Sequence, residues 1–221
     1  MPDEASVSPG ASAALDDELF AVRVEQSETV FAGKVWDVRR ERFAFNGQSI
    51  VRDFVDHTGA VAVLALDENE RVLLIKQYRH PVRTRDWEIP AGLLDVRGER
   101  PLRAAQRELA EEADLVATRW DVLSEFYTSP GGSDEAIRIY LARELGATDQ
   151  SFDRSEEEAD MELRWVPLDE CVDAVLDRRL QNPSLAIGVL AAHAARARGW
   201  STLGAGDSLW PRHPKSEALG T

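Results

Sequence analysis

The chain has 221 residues and a hydrophobic content of 43%, which is enough for one sizeable core with a small additional subdomain. Its net charge of −14 argues against nonspecific binding to nucleic acid, which depends on basic surfaces. No apolar stretch approaches the roughly 18 residues of a membrane span, so no membrane partner is expected. A single cysteine, Cys171, excludes an intrachain disulfide framework and favours a reducing, cytoplasmic location.

The first quarter of the chain predicts a tail followed by a small sheet. Residues 1–18 are rich in Ala, Ser, Pro, Gly and Asp, which predicts a disordered tail and gives no sign of a signal peptide. Residues 19–57 alternate apolar and polar side chains, and Asn46-Gly47 is a strong hairpin signal. We therefore expect an N-terminal antiparallel β subdomain at residues 19–57.

Residues 58–200 mix strand and helix patterns, which predicts one α/β domain. Strand patterns occupy residues 59–66, 71–79, 120–127, 136–142 and 161–168. One helix begins at Pro101 with an apolar stripe, a second covers residues 168–180, and a third begins at Pro183 behind the N-cap Asn182. A mixed sheet sandwiched by helices is the expected architecture. Residues 201–221 are rich in Gly, Ser and Pro, and are expected to form a loose tail.

The helix that begins at Pro101 ends with three closely spaced carboxylates, which belong to Glu108, Glu111 and Glu112. Positions i, i+3 and i+4 share one helix face, where like charges repel, so a helix does not gather them for its own stability. A divalent cation would compensate this repulsion, because Mg²⁺ takes oxygen ligands and completes its shell with water and phosphate. A solvated acidic face explains the same spacing without any metal.

The surroundings of these glutamates favour the metal interpretation. The stretch GLLDVRGERPLRAAQRELAEEADL, residues 92–115, runs from glycine through Glu99 and seven residues to Arg107-Glu108-Leu109, and then to Glu111-Glu112. In this pattern the chain resembles Nudix hydrolases, and the resemblance implies an α/β/α sandwich with a mixed sheet. Two departures are an extra residue between Gly92 and Glu99 and Asp114 where the family has glycine. Neither departure removes a carboxylate.

Strings outside the signature resemble the bacterial ADP-ribose pyrophosphatases of that family. These strings are VRDFVDHTGAVAVL, KQYRHPVRTRDWEIPAG, SPGGSDE and SEEEADM. The resemblance implies Mg²⁺-dependent hydrolysis of ADP-ribose to AMP and ribose 5-phosphate, with Mn²⁺ as a substitute. It also implies a homodimer with a swapped N-terminal β unit. Two alternatives stay open: another nucleoside diphosphate sugar or dinucleotide as the substrate, and a Nudix-like ligand sensor without catalysis.

The resemblance also implies roles for residues at the metal and at the attacking water. Glu108 and Glu112, one turn apart, are the first metal ligands, Glu111 is a third ligand with a catalytic role, and the carbonyl of Ala91 is a further ligand. Glu99 and Arg107 are expected to pair with each other and join the loop to the helix. A mobile acidic loop supplies the base in this family, which here points to Glu157 first and Glu158 second.

The remaining assignments concern substrate binding, and two of them have a structural alternative. Arg79 ends a strand and could hold a phosphate bidentately, or be a surface arginine. Trp36 could stack on adenine, or pack in the core. Gly132 and Ser133 are expected near the terminal ribose, and Arg52 is expected to reach the site of a partner subunit.

Overall fold

The computed structural model describes residues 15–150, 152 and 161–217, and this part of the chain forms eleven strands and three helices. The strands are β1 (Val24–Phe31), β2 (Asp37–Phe45), β3 (Gln48–Asp56), β4 (Ala60–Ala65), β5 (Arg71–Arg79), β6 (Thr84–Glu88), β7 (Ala91–Leu93), β8 (Leu115–Tyr127), β9 (Ala136–Ala147), β10 (Glu162–Pro167) and β11 (Gly204–Ala205). The helices are α1 (Pro101–Ala113), α2 (Leu168–Leu176) and α3 (Pro183–Ala197). Each helix is too short to cross a membrane.

The N-terminal strands form the antiparallel sheet that the sequence predicted, in the order β1-β2-β3. The hairpin between β2 and β3 turns at Asn46 and Gly47, whose φ angles of 50° and 76° match a type I′ turn, which suits the twist of paired strands. Strand β1 is exposed along its whole length. Its apolar residues Val30 and Phe31 are not covered by any of the residues that the structure describes.

The central sheet has the order β11-β8-β9-β4-β7, and a second sheet has the order β10-β5-β6. Strand β4 runs parallel to β9 and antiparallel to β7, so the central sheet is mixed. All six residues of β4 are buried, because helices cover both faces of the sheet. Val61 and Val63 share a cluster with α1, and Ala62 and Leu64 share one with α2 and α3. The predicted α/β/α sandwich is confirmed.

The helix ends follow local sequence signals. Helix α1 has Pro101 in its first turn, and it ends at Asp114, which takes the left-handed conformation with φ 54°. Helix α3 begins at Pro183, and the side chain of its N-cap, Asn182, accepts a hydrogen bond from Leu185 N–H. Helix α2 ends at Leu176, earlier than the predicted residue 180, because the chain turns at Arg178 with a φ of 63°.

The C-terminal segment corrects one prediction, because residues 204–217 do not form a loose tail. Strand β11 pairs with β8, and the Trp210 side chain is 1% exposed. The buried Arg138 of β9 donates from Nη1 to the Ser208 carbonyl (2.7 Å) and from Nη2 to the Leu209 carbonyl (2.9 Å). These partners lie about seventy residues away in sequence, so composition alone could not reveal them. Residues 218–221, and residues 1–14 of the predicted disordered tail, lie outside the described residues.

Candidate active site

The acidic end of α1 lies against β7, which brings Ala91 and Gly92 to the glutamates. Glu112 is 6% exposed, and its Oε2 accepts a hydrogen bond from Ala91 N–H at 2.9 Å. A Cβ atom on Gly92 would lie 1.9 Å from Oε1 of Glu108, so the Glu108 carboxylate uses the space that any side chain at residue 92 would need. The two glutamates that were predicted as first metal ligands therefore both lie on the backbone of the signature loop.

One guanidinium connects the carboxylates of this group. Arg107 donates from Nε and Nη2 to Glu99, at 3.1 and 2.9 Å, which is the predicted pairing of loop and helix. Its Nη1 donates to Oε1 of Glu108 (2.6 Å) and to Oε2 of Glu111 (3.2 Å). The hydrogen bonds to Glu99, with the nearby charge of Glu108, raise the pKa of Arg107 above its ordinary value. Arg107 therefore stays charged and offsets part of the repulsion among the glutamates.

The donor chemistry of this turn fits a hard divalent cation, because Glu108, Glu111 and Glu112 present only carboxylate oxygens. Residues 15–150, 152 and 161–217 nevertheless contain no ready group of three His, Cys, Asp or Glu side chains that could hold a metal ion. Nη1 of Arg107 contacts one oxygen of Glu108 and one of Glu111. A cation bound here would compete with this nitrogen for Glu108 and Glu111.

Arg79 lies at the end of β5 beside a cleft of about 690 Å³, and a buried acid determines its orientation. Its Nε and Nη2 donate to the two carboxylate oxygens of Glu88 at 2.8 and 2.7 Å. Glu88 is 2% exposed and also accepts from Nε2 of Gln77 at 3.2 Å. The sequence analysis missed Glu88. Its position between the apolar residues Trp87 and Ile89 was the signal that could have revealed it.

A second group of candidate residues lies where β3 leads into β4. The Trp36 ring stacks on His57, with the ring centroids 3.9 Å apart and the planes at 27°. The Gly132 carbonyl accepts from Val55 N–H at 2.9 Å, which attaches loop 129–135 to the end of β3. A Cβ atom on Gly132 would meet nothing within 4 Å, so open space lies beside this loop. His57 connects these residues, and the sequence analysis gave it no role.

Ser133 lies in the same loop as Gly132, whereas Arg52 is not drawn into either group. Arg52 is exposed on β3, and its Nη1 donates to the neighbouring Val51 carbonyl at 2.9 Å. The Ser133 hydroxyl accepts from Glu135 N–H at 3.2 Å. The predicted bases Glu157 and Glu158 lie outside the described residues.

A solved structure described as an ADP compounds hydrolase has a similar fold. The two folds superpose with a TM-score of 0.68 at 21% sequence identity, over 83% of this chain and 99% of the other. Residues 56–185 match the NUDIX domain. The chain belongs to the Nudix family, whose members generally use divalent metal ions.

Two relatives in sequence are named as ADP-ribose pyrophosphatases. The protein of Mycobacterium tuberculosis is 45% identical over 172 residues, which cover 76% of this chain and 81% of the relative. The protein of Bacillus subtilis is 36% identical over 163 residues, which cover 73% of this chain and 87% of the relative. The similarity therefore extends over most of both proteins.

Proposed function

We propose that the protein hydrolyses the diphosphate bond of ADP-ribose to AMP and ribose 5-phosphate in a reaction that requires Mg²⁺. The observation that carries the proposal is the seating of Glu108 and Glu112 on the backbone of Ala91 and Gly92. This arrangement gathers anionic oxygens at one point of the signature loop. The two relatives named as ADP-ribose pyrophosphatases support the choice of substrate.

Glu108, Glu111, Glu112 and the Ala91 carbonyl would hold the cation. Bound Mg²⁺ would neutralise the diphosphate, polarise phosphorus and lower the pKa of a coordinated water. Mn²⁺ is expected to substitute, because it accepts the same oxygen ligands. The bond from Ala91 N–H keeps the Glu112 carboxylate oriented, and Arg107 keeps the loop residue Glu99 next to the helix.

The substrate would lie between the carboxylates at the end of α1 and the second group, which contains Trp36 and loop 129–135. The Arg79 guanidinium, whose plane Glu88 orients, would contact a phosphate at the cleft. The half-buried Trp36 would stack on adenine, and Gly132 and Ser133 would lie near the terminal ribose. Arg52, which is exposed on β3, would reach the site of a partner subunit.

The attacking water needs a base, and we assign this role to Glu157, with Glu158 as the second choice. The carboxylate would take one proton from the water while its oxygen bonds to phosphorus and the bridging oxygen leaves with the other phosphate. Comparison of Glu157→Gln with Glu158→Gln tests the assignment. The change at the base should lower kcat by at least about a hundredfold with little change in KM, whereas the other change should be mild.

We also propose that the chain forms a homodimer through the N-terminal sheet. Val30 and Phe31 of β1 are 41% and 62% exposed, and Phe45 at the end of β2 is 38% exposed. A second copy of the same sheet would cover this apolar surface. The single cysteine, Cys171, is buried, which suits the reducing cytoplasm as the place of action.

A panel of substrates tests the proposed function. The protein is incubated with Mg²⁺ and, separately, ADP-ribose, UDP-glucose, GDP-mannose or NADH, and the products are separated by chromatography. We expect the highest kcat/KM for ADP-ribose, with AMP and ribose 5-phosphate in equal amounts. Preferential cleavage of another compound would reassign the substrate, and no cleavage of any of them would contradict the proposal.

A further inference from the structure

We propose that His57 is a positioning residue that joins Trp36 to loop 129–135, so that two substrate-binding surfaces keep one relative geometry. This inference rests on the proposed function, in which Trp36 contacts adenine and the loop contacts the terminal ribose. The two surfaces come from distant parts of the chain, since Trp36 precedes β2 and the loop follows β8. His57 leaves the end of β3 and contacts both.

The contact with Trp36 is a ring stack. The centroids of the two rings are 3.9 Å apart and their planes make an angle of 27°. His57 is 6% exposed, whereas Trp36 is only half-buried, so one face of the indole is held by the imidazole while part of the indole surface is accessible. The orientation of the imidazole therefore determines the orientation of the indole.

Both nitrogens of the imidazole have partners that fix its orientation. Nδ1 accepts a hydrogen bond from Gly59 N–H at 3.0 Å, so in the neutral ring the proton is on Nε2. Nε2 lies 3.2 Å from Oε1 of Glu135 in loop 129–135, and Oε2 of Glu135 accepts from the Thr128 hydroxyl at 2.6 Å. Burial lowers the pKa of His57, against the opposing charge of Glu135, which favours this neutral form.

The backbone around His57 ties the same loop a second time. His57 N–H donates to Oδ1 of Asp134 at 2.7 Å, and Asp134 N–H donates to the Val55 carbonyl at 3.3 Å. The Lys215 ammonium contacts the His57 carbonyl and lies 3.3 Å from Oδ2 of Asp134. Because these backbone ties do not use the imidazole, removing the ring should free Trp36 and the tip of Glu135 without detaching the loop.

The kinetic test separates positioning from a general loss of structure. His57→Phe keeps a ring for the stack but loses both hydrogen bonds, and Glu135→Ala removes the acceptor in the loop. Each change should raise KM for ADP-ribose about tenfold and leave kcat within about twofold. Glu135→Gln keeps an acceptor oxygen and should stay close to the wild-type KM. An unchanged KM in both test variants, or a fall in kcat as large as the rise in KM, would overturn the proposal.

A second measurement needs no substrate, so it stands apart from the proposed function. Trp36→Ala removes the stack, and it should speed amide hydrogen exchange within residues 129–135 at least about threefold, because the imidazole then loses one of its supports. Trp36→Phe keeps an aromatic ring on His57 and should leave the exchange unchanged. If wild-type protein fails to cleave ADP-ribose, the proposed function is wrong, and the exchange result alone decides the role of His57. Equal exchange rates within residues 129–135 in Trp36→Ala and wild-type protein would contradict the positioning role of His57.

Discussion

The hydrogen-bond partners of individual side chains explain the chemistry that we assign to the end of α1, which carries Glu108, Glu111 and Glu112. Glu112 is held by a backbone N–H, whereas Glu108 and Glu111 share the charged Nη1 of Arg107. The bond from Ala91 N–H uses one acceptor site of the Glu112 carboxylate, and a carboxylate that accepts one such bond can still ligate a cation. An incoming divalent cation would compete with Arg107 for Glu108 and Glu111. We therefore expect Glu112 to keep its position when metal binds, and the other two glutamates to change partners.

The first prediction concerns Glu112→Gln. The amide oxygen can still accept from Ala91 N–H, so folding should be preserved, while the lost charge weakens cation binding. We expect kcat with Mg²⁺ to fall at least about a hundredfold, measured beside a thermal melt. The exposed Glu170 of α2 offers a matched control, because Glu170→Gln makes the same chemical change away from the site. Near-wild-type turnover in Glu112→Gln would contradict the ligand assignment.

The second prediction follows from the burial of His213. Burial lowers the pKa of His213 to about 4 from an ordinary value of 6.5. Between pH 6.5 and pH 4 the imidazole is therefore protonated in the unfolded chain and neutral in the folded chain. The stability contributed by the neutral ring is present above pH 6.5 and is lost as the pH falls. Protonation of His213 in the unfolded chain should therefore lower the free energy of unfolding by about 3 kcal/mol at pH 4.

Urea titrations at a series of pH values measure this effect. In the wild type, Nδ1 of His213 accepts a hydrogen bond from the backbone N–H of Lys215 at 3.0 Å. His213→Asn can keep an acceptor for this N–H, but its side chain does not titrate. The difference in unfolding free energy between wild type and variant should therefore change with pH between 6.5 and 4. A difference that is constant over this range would show that His213 is not the group that titrates.

At the scale of single elements, the features that could be predicted from the sequence are those that depend on residues within the element itself. The start of α1 at Pro101 and the hairpin at Asn46-Gly47 depend on backbone preferences of the residues themselves, and both are present. The burial of Trp210 depends on Arg138, whose guanidinium lies 4.8 Å from the indole centroid, and the burial of Glu88 depends on Arg79. The contact of Arg138 with the C-terminal segment spans about seventy residues, so the local pattern carries no trace of it. Arg79 and Glu88 lie on the neighbouring strands β5 and β6, and their pairing depends on the register between those strands.

The third prediction tests the end of α1, where Asp114 takes a left-handed φ of 54°. Glycine adopts this conformation without steric cost, so Asp114→Gly should stabilise the protein by up to about 1 kcal/mol. Asp114→Ala should be destabilising, because alanine has the Cβ atom but no polar group to offset the strain. Urea denaturation measures both variants. A glycine variant less stable than the alanine variant would contradict this account of the helix end.

The fourth prediction tests the packing of the C-terminal segment. Trp210→Ala removes a side chain that is 1% exposed and should cost about 3–5 kcal/mol of stability. Its neighbour Leu209 is 68% exposed, so Leu209→Ala serves as the control and should change stability by less than about 0.5 kcal/mol. Similar unfolding midpoints for the two variants would show that the segment is loose after all.

At the scale of the whole molecule, the exposed apolar surface of the N-terminal sheet leads to the fifth prediction. Sedimentation equilibrium should give about twice the chain mass of 24.6 kDa. The double change Val30→Asp and Phe31→Asp should give monomers, because it places charges on the surface that the partner would cover. Leu176 is 59% exposed at the end of α2, so Leu176→Asp is the matched control and should stay dimeric. A monomeric wild-type protein would contradict the dimer.

A crystal structure with Mg²⁺ and an ADP-ribose analogue that has a methylene bridge between the phosphates tests the central claim most directly. The account predicts magnesium bound to Glu108, Glu112 and the Ala91 carbonyl, in contact with oxygens of the diphosphate. Nη1 of Arg107 should then have left Glu108. A structure in which Glu108 still contacts Arg107, with the analogue bound and magnesium elsewhere, would contradict the claim.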